Sequence, residues 1–225
     1  IVPLPLDPIN NTFVTFKRDN GFNTDSMSFF FEGTYDITDA LELSAGARYS
    51  MEGRSSYQRS LPGHIAFSAA FPGGLELRDR YSDDNLSPQV TLRWKPQEDT
   101  TIYASYKQGF KAGGYNISQV LNPASTVAGG QYESEMAEGG EIGLRTLQFD
   151  RALSFSLTAY YYLYSDLQVQ FFDPTTVSLT AGNAGELRTM GLEADVNWRV
   201  PGVDGLSLRG AAAFKSPPTK SMAKR

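Results

Sequence analysis

The sequence predicts an all-β chain: an antiparallel up-and-down meander forming a partial transmembrane β-barrel, with short periplasmic turns and long extracellular loops. Three observations predict it. Several alternating runs exceed about ten residues, against a usual strand length of about 5–6, and tilted strands of about 9–11 residues are what a bilayer requires. Short turns follow Asp36, Lys95, Leu147 and Val200, and between them lie long loops around 53–85, 111–133 and 171–185. Trp94 and Trp198 each sit beside a tight turn on the apolar parity, where an interfacial aromatic belt would lie.

Composition agrees. The chain has 225 residues and a net charge of -5, which gives no electrostatic reason to expect nucleic acid. It has no Cys, excluding disulfides, thiolate metal sites and Cys nucleophiles, and one His, excluding sites that need two imidazoles. With 12 Tyr, 14 Phe and 21 Gly, the mix favours strands. No run of 18 apolar residues offers a transmembrane helix. Residues 1–11 lack the pattern of a signal peptide, so the chain is expected to be processed or cut from a longer one.

Taken in order, Pro3, Pro5 and Pro8 keep the first segment extended and outside a sheet. A short strand is expected at 13–17, broken by Asp19-Asn20-Gly21. Residues 26–36 place Phe29, Phe31 and Tyr35 opposite Ser28, Glu32 and Thr34. Residues 41–51 alternate cleanly, Leu41, Leu43, Ala45, Ala47 and Tyr49 against Glu42, Ser44, Gly46 and Arg48. Residues 53–85 lack a sustained period and read as a long loop, with a candidate hairpin at 75–81.

The clearest hairpin follows. Val90, Leu92 and Trp94 share one face, with Gln89, Thr91, Arg93 and Lys95 on the other. After the turn Ile102, Ala104 and Tyr106 oppose Tyr103, Ser105 and Lys107. Residues 111–133 read as loop, 136–147 as strand, and Gln148-Phe149-Asp150-Arg151 as a tight turn. The longest run, 152–170, sets Leu153, Phe155, Leu157, Ala159, Tyr161 and Leu163 against Ser154, Ser156, Thr158, Tyr160, Tyr162 and Tyr164. A third loop precedes strands at 186–200 and 206–214. The last eleven residues read as a basic, non-periodic tail.

A greasy face opposite a polar one fits either lipid and a lumen, or the core and surface of a soluble sandwich. On the barrel reading Glu42, Arg48, Arg93, Lys107, Glu141, Arg145, Glu193, Asp195 and Arg199 face a hydrated lumen in cross-strand pairs. Ligand contacts are expected in the long loops and at the strand tops: Arg78, Arg80 and Tyr81 in the first loop, and Lys107, Lys111, Tyr115 and Asn116 above the clearest hairpin. Arg and Lys beside aromatics suit an anionic metal chelate; aromatics with amides suit a sugar. No catalytic residue, cofactor or metal site is expected. His64 with Asp83 and Asp84 has no accompanying nucleophile motif. Asp83-Asp84-Asn85 lacks the spaced ligands of a calcium loop, and Ala112-Gly113-Gly114 is no phosphate loop.

Four segments carry a family resemblance: FFFEGTYDITDALELSAGARYS at 29–50, YASYKQGFKAGGYN at 103–116, GEIGLRTLQFDRALSFSLTAYYYLYSDLQV at 140–169 and GNAGELRTMGLEADVNW at 182–198. In this order they closely resemble TonB-dependent outer-membrane receptors of Gram-negative bacteria. The resemblance implies active uptake of a scarce ligand (a ferric siderophore, cobalamin or an oligosaccharide) through a plugged barrel of about 22 strands. It implies outer-membrane lipid as surroundings and an inner-membrane TonB complex as partner, engaged through a region N-terminal to these strands. Residues 1–214 are expected to be a partial barrel of about nine strands, and 215–225 a tail outside the family pattern. Transport by this chain alone is not expected. The alternative is a small self-contained barrel with a structural or adhesive role.

Overall fold

The computed structural model describes residues 4–173, 178–217 and 219–221. The long strands are β1 (Lys17–Thr38), β2 (Leu41–Leu61), β3 (Glu76–Gln97) and β4 (Thr100–Lys111). Two short strands follow, β5 (Gly114–Tyr115) and β6 (Gln131–Tyr132), then β7 (Glu135–Gln148) and β8 (Leu153–Ser165). The chain continues through β9 (Gln168–Asp173), β10 (Ser178–Asn183), β11 (Glu186–Arg199), β12 (Ser207–Lys215) and β13 (Thr219–Ser221). One nine-stranded sheet runs β1-β2-β3-β4-β7-β8-β11-β12, with β13 also on β11; β5-β6 and β9-β10 form separate pairs. Every ladder is antiparallel. β1 and β12 end the path on opposite sides, so the described sheet is an open arc. A self-contained barrel would need those two strands to pair, and they do not.

The register explains the two faces. Leu41, Trp94, Ile102, Leu144, Leu157, Ala194 and Ala212 stand side by side across seven strands. One residue further along, the row reads Glu42, Arg93, Tyr103, Gly143, Thr158, Glu193 and Ala213. Each row belongs to one face, and a one-residue slip would exchange them throughout. The apolar row is open to the surroundings: Leu92, Trp94, Ile142, Leu157 and Leu192 are all exposed. An apolar band left uncovered across a whole sheet belongs against lipid.

Both edges of the band are marked. At the tight-turn end stand Trp94 and Trp198. At the other, the outward Tyr49 donates to Asp84 Oδ2 at 3.0 Å, and Tyr106 donates to Glu138 Oε2 at 2.9 Å. Leu86 to Trp94 is nine residues, at the lower end of the about 9–11 that a tilted strand needs to cross a bilayer. The tight turns are tied sideways. Arg151 Nε lies 2.9 Å from Asp99 Oδ1, and Arg199 Nη2 donates to the Arg151 carbonyl at 3.1 Å.

Several expectations are corrected at the loop end. Residues 13–16 are not strand, and β1 instead runs through Asp19-Asn20-Gly21. There Asp19 pairs with Arg59 and accepts from the Tyr57 hydroxyl, so cross-strand partners outweigh the turn tendency of that tripeptide. Residues 53–61 and 76–85 are strand, leaving only 62–75 as the connection. These extensions rise beyond the lipid band, where neither face must be uniformly apolar, so no period marks them. The run expected over 152–170 divides at Asp166, whose φ is 53°, and continues as the β9–β10 hairpin. Thr219–Ser221, expected in a non-periodic tail, pairs with Glu186–Arg188.

The buried apolar core lies outside the membrane band. Among the described residues it comprises Ala112, Tyr115 and Leu121, accompanied by buried Gln58, Asp79, Asn116 and Gln119. It forms where residues 112–132, expected as open loop, fold back against the inward face of β1, β2 and β3. At the far tip, Asp7 accepts from the backbone amides of Ile9 and Ile65 at 3.0 Å each, clasping the N-terminal segment to the β2–β3 connection.

Candidate functional site

The inward face of the arc is a wall of matched charges and hydroxyls. Arg93 pairs with Glu42, and Lys107 Nζ lies 3.1 Å from Glu141 Oε1. Arg48 donates to Ser28 at 2.7 Å, Gln89 to Glu32 at 3.2 Å, and Ser156 to Asp195 at 3.4 Å. The Arg145 guanidinium stands 5.4 Å from the centroid of the Tyr103 ring. Each charge expected on the lumenal side lies on that parity of the register; Glu42 with Arg93 and Lys107 with Glu141 form ion pairs, and Arg48, Arg145, Asp195 and Arg199 meet hydroxyl, ring or carbonyl partners. Among these pairs Glu32, Arg48 and Gln89, with Glu52, line a concavity of about 630 Å³, reached by Lys111 from the β4 side.

The second feature sits higher, where the loop meets the strand extensions. Three wall side chains hold three successive loop carbonyls. Asn20 Nδ2 donates to Ile117 at 2.7 Å, Arg18 to Ser118, and Gln58 to Gln119. Gln131 Nε2 donates to Asp79 Oδ1 at 3.0 Å, and Asn116 Nδ2 reaches the Leu179 carbonyl of β10 at 3.2 Å. Gly113 and Gly114 permit the approach. A Cβ on Gly113 would stand 2.5 Å from the Tyr81 hydroxyl, and one on Gly114 2.9 Å from Arg54 Nη1. The loop is therefore strapped to the wall on one side and to the β9–β10 hairpin on the other.

Between loop and wall lies a pocket of about 210 Å³ lined by Phe22, Arg54, Asp79, Tyr81, Tyr115 and Tyr132 among others. Arg54 is held by Glu52 at 2.5 Å. Tyr81 donates to Asp83 at 2.9 Å, and burial with that carboxylate pushes its phenol up to about 12. Burial also raises Tyr115, with the Asp79 charge adding to it and the Gln119 hydrogen bond opposing it. Both phenols therefore stay neutral donors at any physiological pH.

The sequence-derived site residues divide. Tyr81, Tyr115 and Asn116 come together in this pocket. Lys107 lies far down the wall, paired with Glu141, and Lys111 stands 3.9 Å from Glu135. Arg78 and Arg80 lie on the outer face of β3. Arg78 bonds Glu76 and lies over the Tyr57 ring at 5.9 Å. Phe22, Arg54, Asp79 and Tyr132 line the pocket without having been singled out from sequence. A signal existed for Asp79: counting back by twos from Arg93 along β3 reaches Tyr81 and Asp79 on the inward parity, and leaves Arg78 and Arg80 outward. The described residues hold no cluster of three or more His, Cys, Asp or Glu suited to a metal ion.

Comparison with known proteins agrees with this geometry. A model of the family described as TonB dependent receptor-like, beta-barrel, matches residues 3–222. The chain is 24% identical over 192 residues to the pesticin receptor of Yersinia enterocolitica, covering 84% of this chain and 26% of that protein. It is 25% identical over 186 residues to the pesticin receptor of Yersinia pestis, covering 82% and 25%. In structure it is similar to the ferric yersiniabactin uptake receptor FyuA from Yersinia pestis, with a TM-score of 0.70, 19% identity, and 89% and 28% of the two chains covered. It is also similar to the copper transporter OprC, with a TM-score of 0.69, 18% identity, and 90% and 30% covered. The chain thus spans about a quarter of the length of the curated relatives it matches.

Proposed function

The chain belongs to the TonB-dependent receptor β-barrel family, and from that premise we propose that it forms one arc of an outer-membrane uptake receptor for a ferric siderophore or similar scarce chelate. The observation that carries this reading is the two-faced sheet. An uninterrupted apolar row faces outward across seven strands, and a wall of paired charges faces inward beneath a strapped loop. The family is one of transporters and receptors, not an enzyme family.

On this reading the surroundings are outer-membrane lipid of a Gram-negative cell. Energy comes from an inner-membrane TonB complex through a plug region that β1–β13 do not supply. The open sheet and the quarter-length match to the relatives support a share in a larger ring rather than transport by this arc alone. Unpaired N–H and C=O groups along β1 and β12 cost several kcal/mol each in lipid, by general principle, unless other strands cover them. FyuA, an uptake receptor for ferric yersiniabactin, directs the choice of ligand class toward iron chelates.

The test is uptake. The gene with its flanking coding sequence goes into an iron-starved Gram-negative strain lacking its own siderophore receptors. Accumulation of ⁵⁵Fe from a panel of ferric siderophores is followed with and without functional TonB. TonB-dependent accumulation that disappears when codons 26–214 are removed is the expected result. Iron entry that ignores both manipulations would sink the proposal.

A further inference from the structure

The pocket between the loop and the strand extensions has a chemistry different from that of the wall below it, and the difference identifies what it takes. Its volume is about 210 Å³. A dry cavity of about 150 Å³ holds a benzene molecule, so there is space for one ring and a small substituent and for little else. Four aromatic side chains line it: Phe22, Tyr81, Tyr115 and Tyr132. Rings that meet other rings edge-on or offset gain beyond simple burial.

The polar lining is equally specific. Arg54 is the cation of the lining, and it is already held by Glu52 at 2.5 Å. Asp79 is 9% exposed, and its Oδ1 accepts from Gln131, but its Oδ2 is buried without a hydrogen-bond partner. A buried carboxylate oxygen without a donor is costly, and an anion brought beside it would be repelled. A ligand group that donates a hydrogen bond supplies what is missing. The walls are set in advance, because Asn20, Arg18 and Gln58 fix the loop carbonyls that position Tyr115.

We propose that this pocket is a subsite for one uncharged aromatic ring bearing a hydroxyl donor, a phenol-type group carried at the periphery of the ligand and not bound to its metal. A metal-bound phenolate has lost the proton that Asp79 needs, so the chelating part of the ligand lies elsewhere, toward the larger concavity below. The assignment rests on the uptake reading above for its biological setting, but not for its measurement.

Saturation-transfer NMR on outer-membrane vesicles tests it, with vesicles from a strain lacking the gene as background. The probes are 4-methylphenol, its methyl ether 4-methylanisole, cyclohexanol and benzoate. The expected order places 4-methylphenol at least fivefold tighter than the ether, with cyclohexanol and benzoate giving no specific signal. Asp79→Asn should remove the preference of phenol over ether while ring binding persists. Tyr132→Ala should remove binding of both, and Tyr132→Phe should restore it. Benzoate binding as well as 4-methylphenol, or equal binding of phenol and ether by the unaltered protein, overturns the proposal, and neither readout depends on any variant folding. Phenol discrimination without TonB-dependent iron uptake would defeat only the uptake reading. Uptake without discrimination would defeat only the subsite.

Discussion

The Tyr103 ring lies flat across Gly143 on the neighbouring strand, where a Cβ would stand 2.4 Å from Tyr103 Cε1. The missing side chain lets the ring cross β7 and bring its hydroxyl within 3.2 Å of Thr158 on β8. Gly191 beneath Tyr160 repeats the arrangement, with its Cβ position 2.6 Å from the Tyr160 hydroxyl. One strand thus gives up a side chain so that its neighbour can fasten the next, and the ring covers the backbone that the glycine exposes.

Gly143→Ala should therefore destabilise the wall by about 1–3 kcal/mol, the usual range for an overpacked site. Tyr103→Ala alone removes the ring and its hydroxyl contact. The double variant should be less damaged than the sum of the two singles, because the clash needs both partners. Urea unfolding of the membrane-inserted protein, followed by loss of heat-modifiable mobility, measures the cycle. Additivity would show that the ring and the glycine are independent.

Neighbouring positions on β3 should respond oppositely to charge. Leu92→Arg places a guanidinium in the apolar band and should cost about 2–4 kcal/mol. Thr91→Arg faces the lumen beside Ser44 and Ser105 and should be close to neutral. The same urea titration distinguishes the pair, and a reversed order would exchange the two faces.

The clasp at the tip should open in acid. Burial pushes the Asp7 carboxyl up, but hydrogen bonds from the amides of Ile9, Ile65 and Asn10 and from the Asn10 side chain outweigh it and leave it below the ordinary value of 3.8. A depressed carboxyl contributes its stability above the unfolded value and loses it as pH falls through the folded one. Amide exchange over residues 62–75 should be slow at pH 7 and quicken only below about pH 4. Asp7→Asn should bring the quickening to neutral pH. Unchanged exchange in that variant would remove Asp7 from the clasp.

The straps on the loop predict a protease phenotype. Asn20→Ala and Gln58→Ala each remove one donor to a loop carbonyl, worth about 1 kcal/mol per bond. Cleavage within residues 112–132 by external protease should rise several-fold in the double variant, with the barrel strands still protected. Equal resistance would mean that the loop is held by burial of Leu121 and Tyr115 alone.

The membrane-facing part of this fold was legible because lipid imposes a rule. Every second residue from Leu41 to Tyr49, or from Val90 to Trp94, must be apolar, and the tight turns are short enough to fix the register. Beyond Tyr49 and Leu86 that rule ends. Residues 53–61 and 76–85 remain in the ladder through backbone pairing and contacts such as Asp19 with Arg59, none of which leaves a period in the sequence. The same gap hid the pocket. Tyr81, Tyr115 and Asn116 could be singled out as residue types, but Arg54, Asp79 and Tyr132 join them only when the glycine pair at 113–114 brings the loop onto the wall.

The strands differ in height by a third or more: β1, β2 and β3 have 22, 21 and 22 residues, whereas β7, β8 and β11 have 14, 13 and 14. The main ladder is therefore tall over β1–β3 and short toward β12. Above the short strands the height is made up by a separate piece, the β9–β10 hairpin between β8 and β11, which Asn116 ties to the loop leaning on the tall strands. The rim is continuous ladder on one side and a jointed hairpin on the other, and the ring-lined pocket sits against the continuous side.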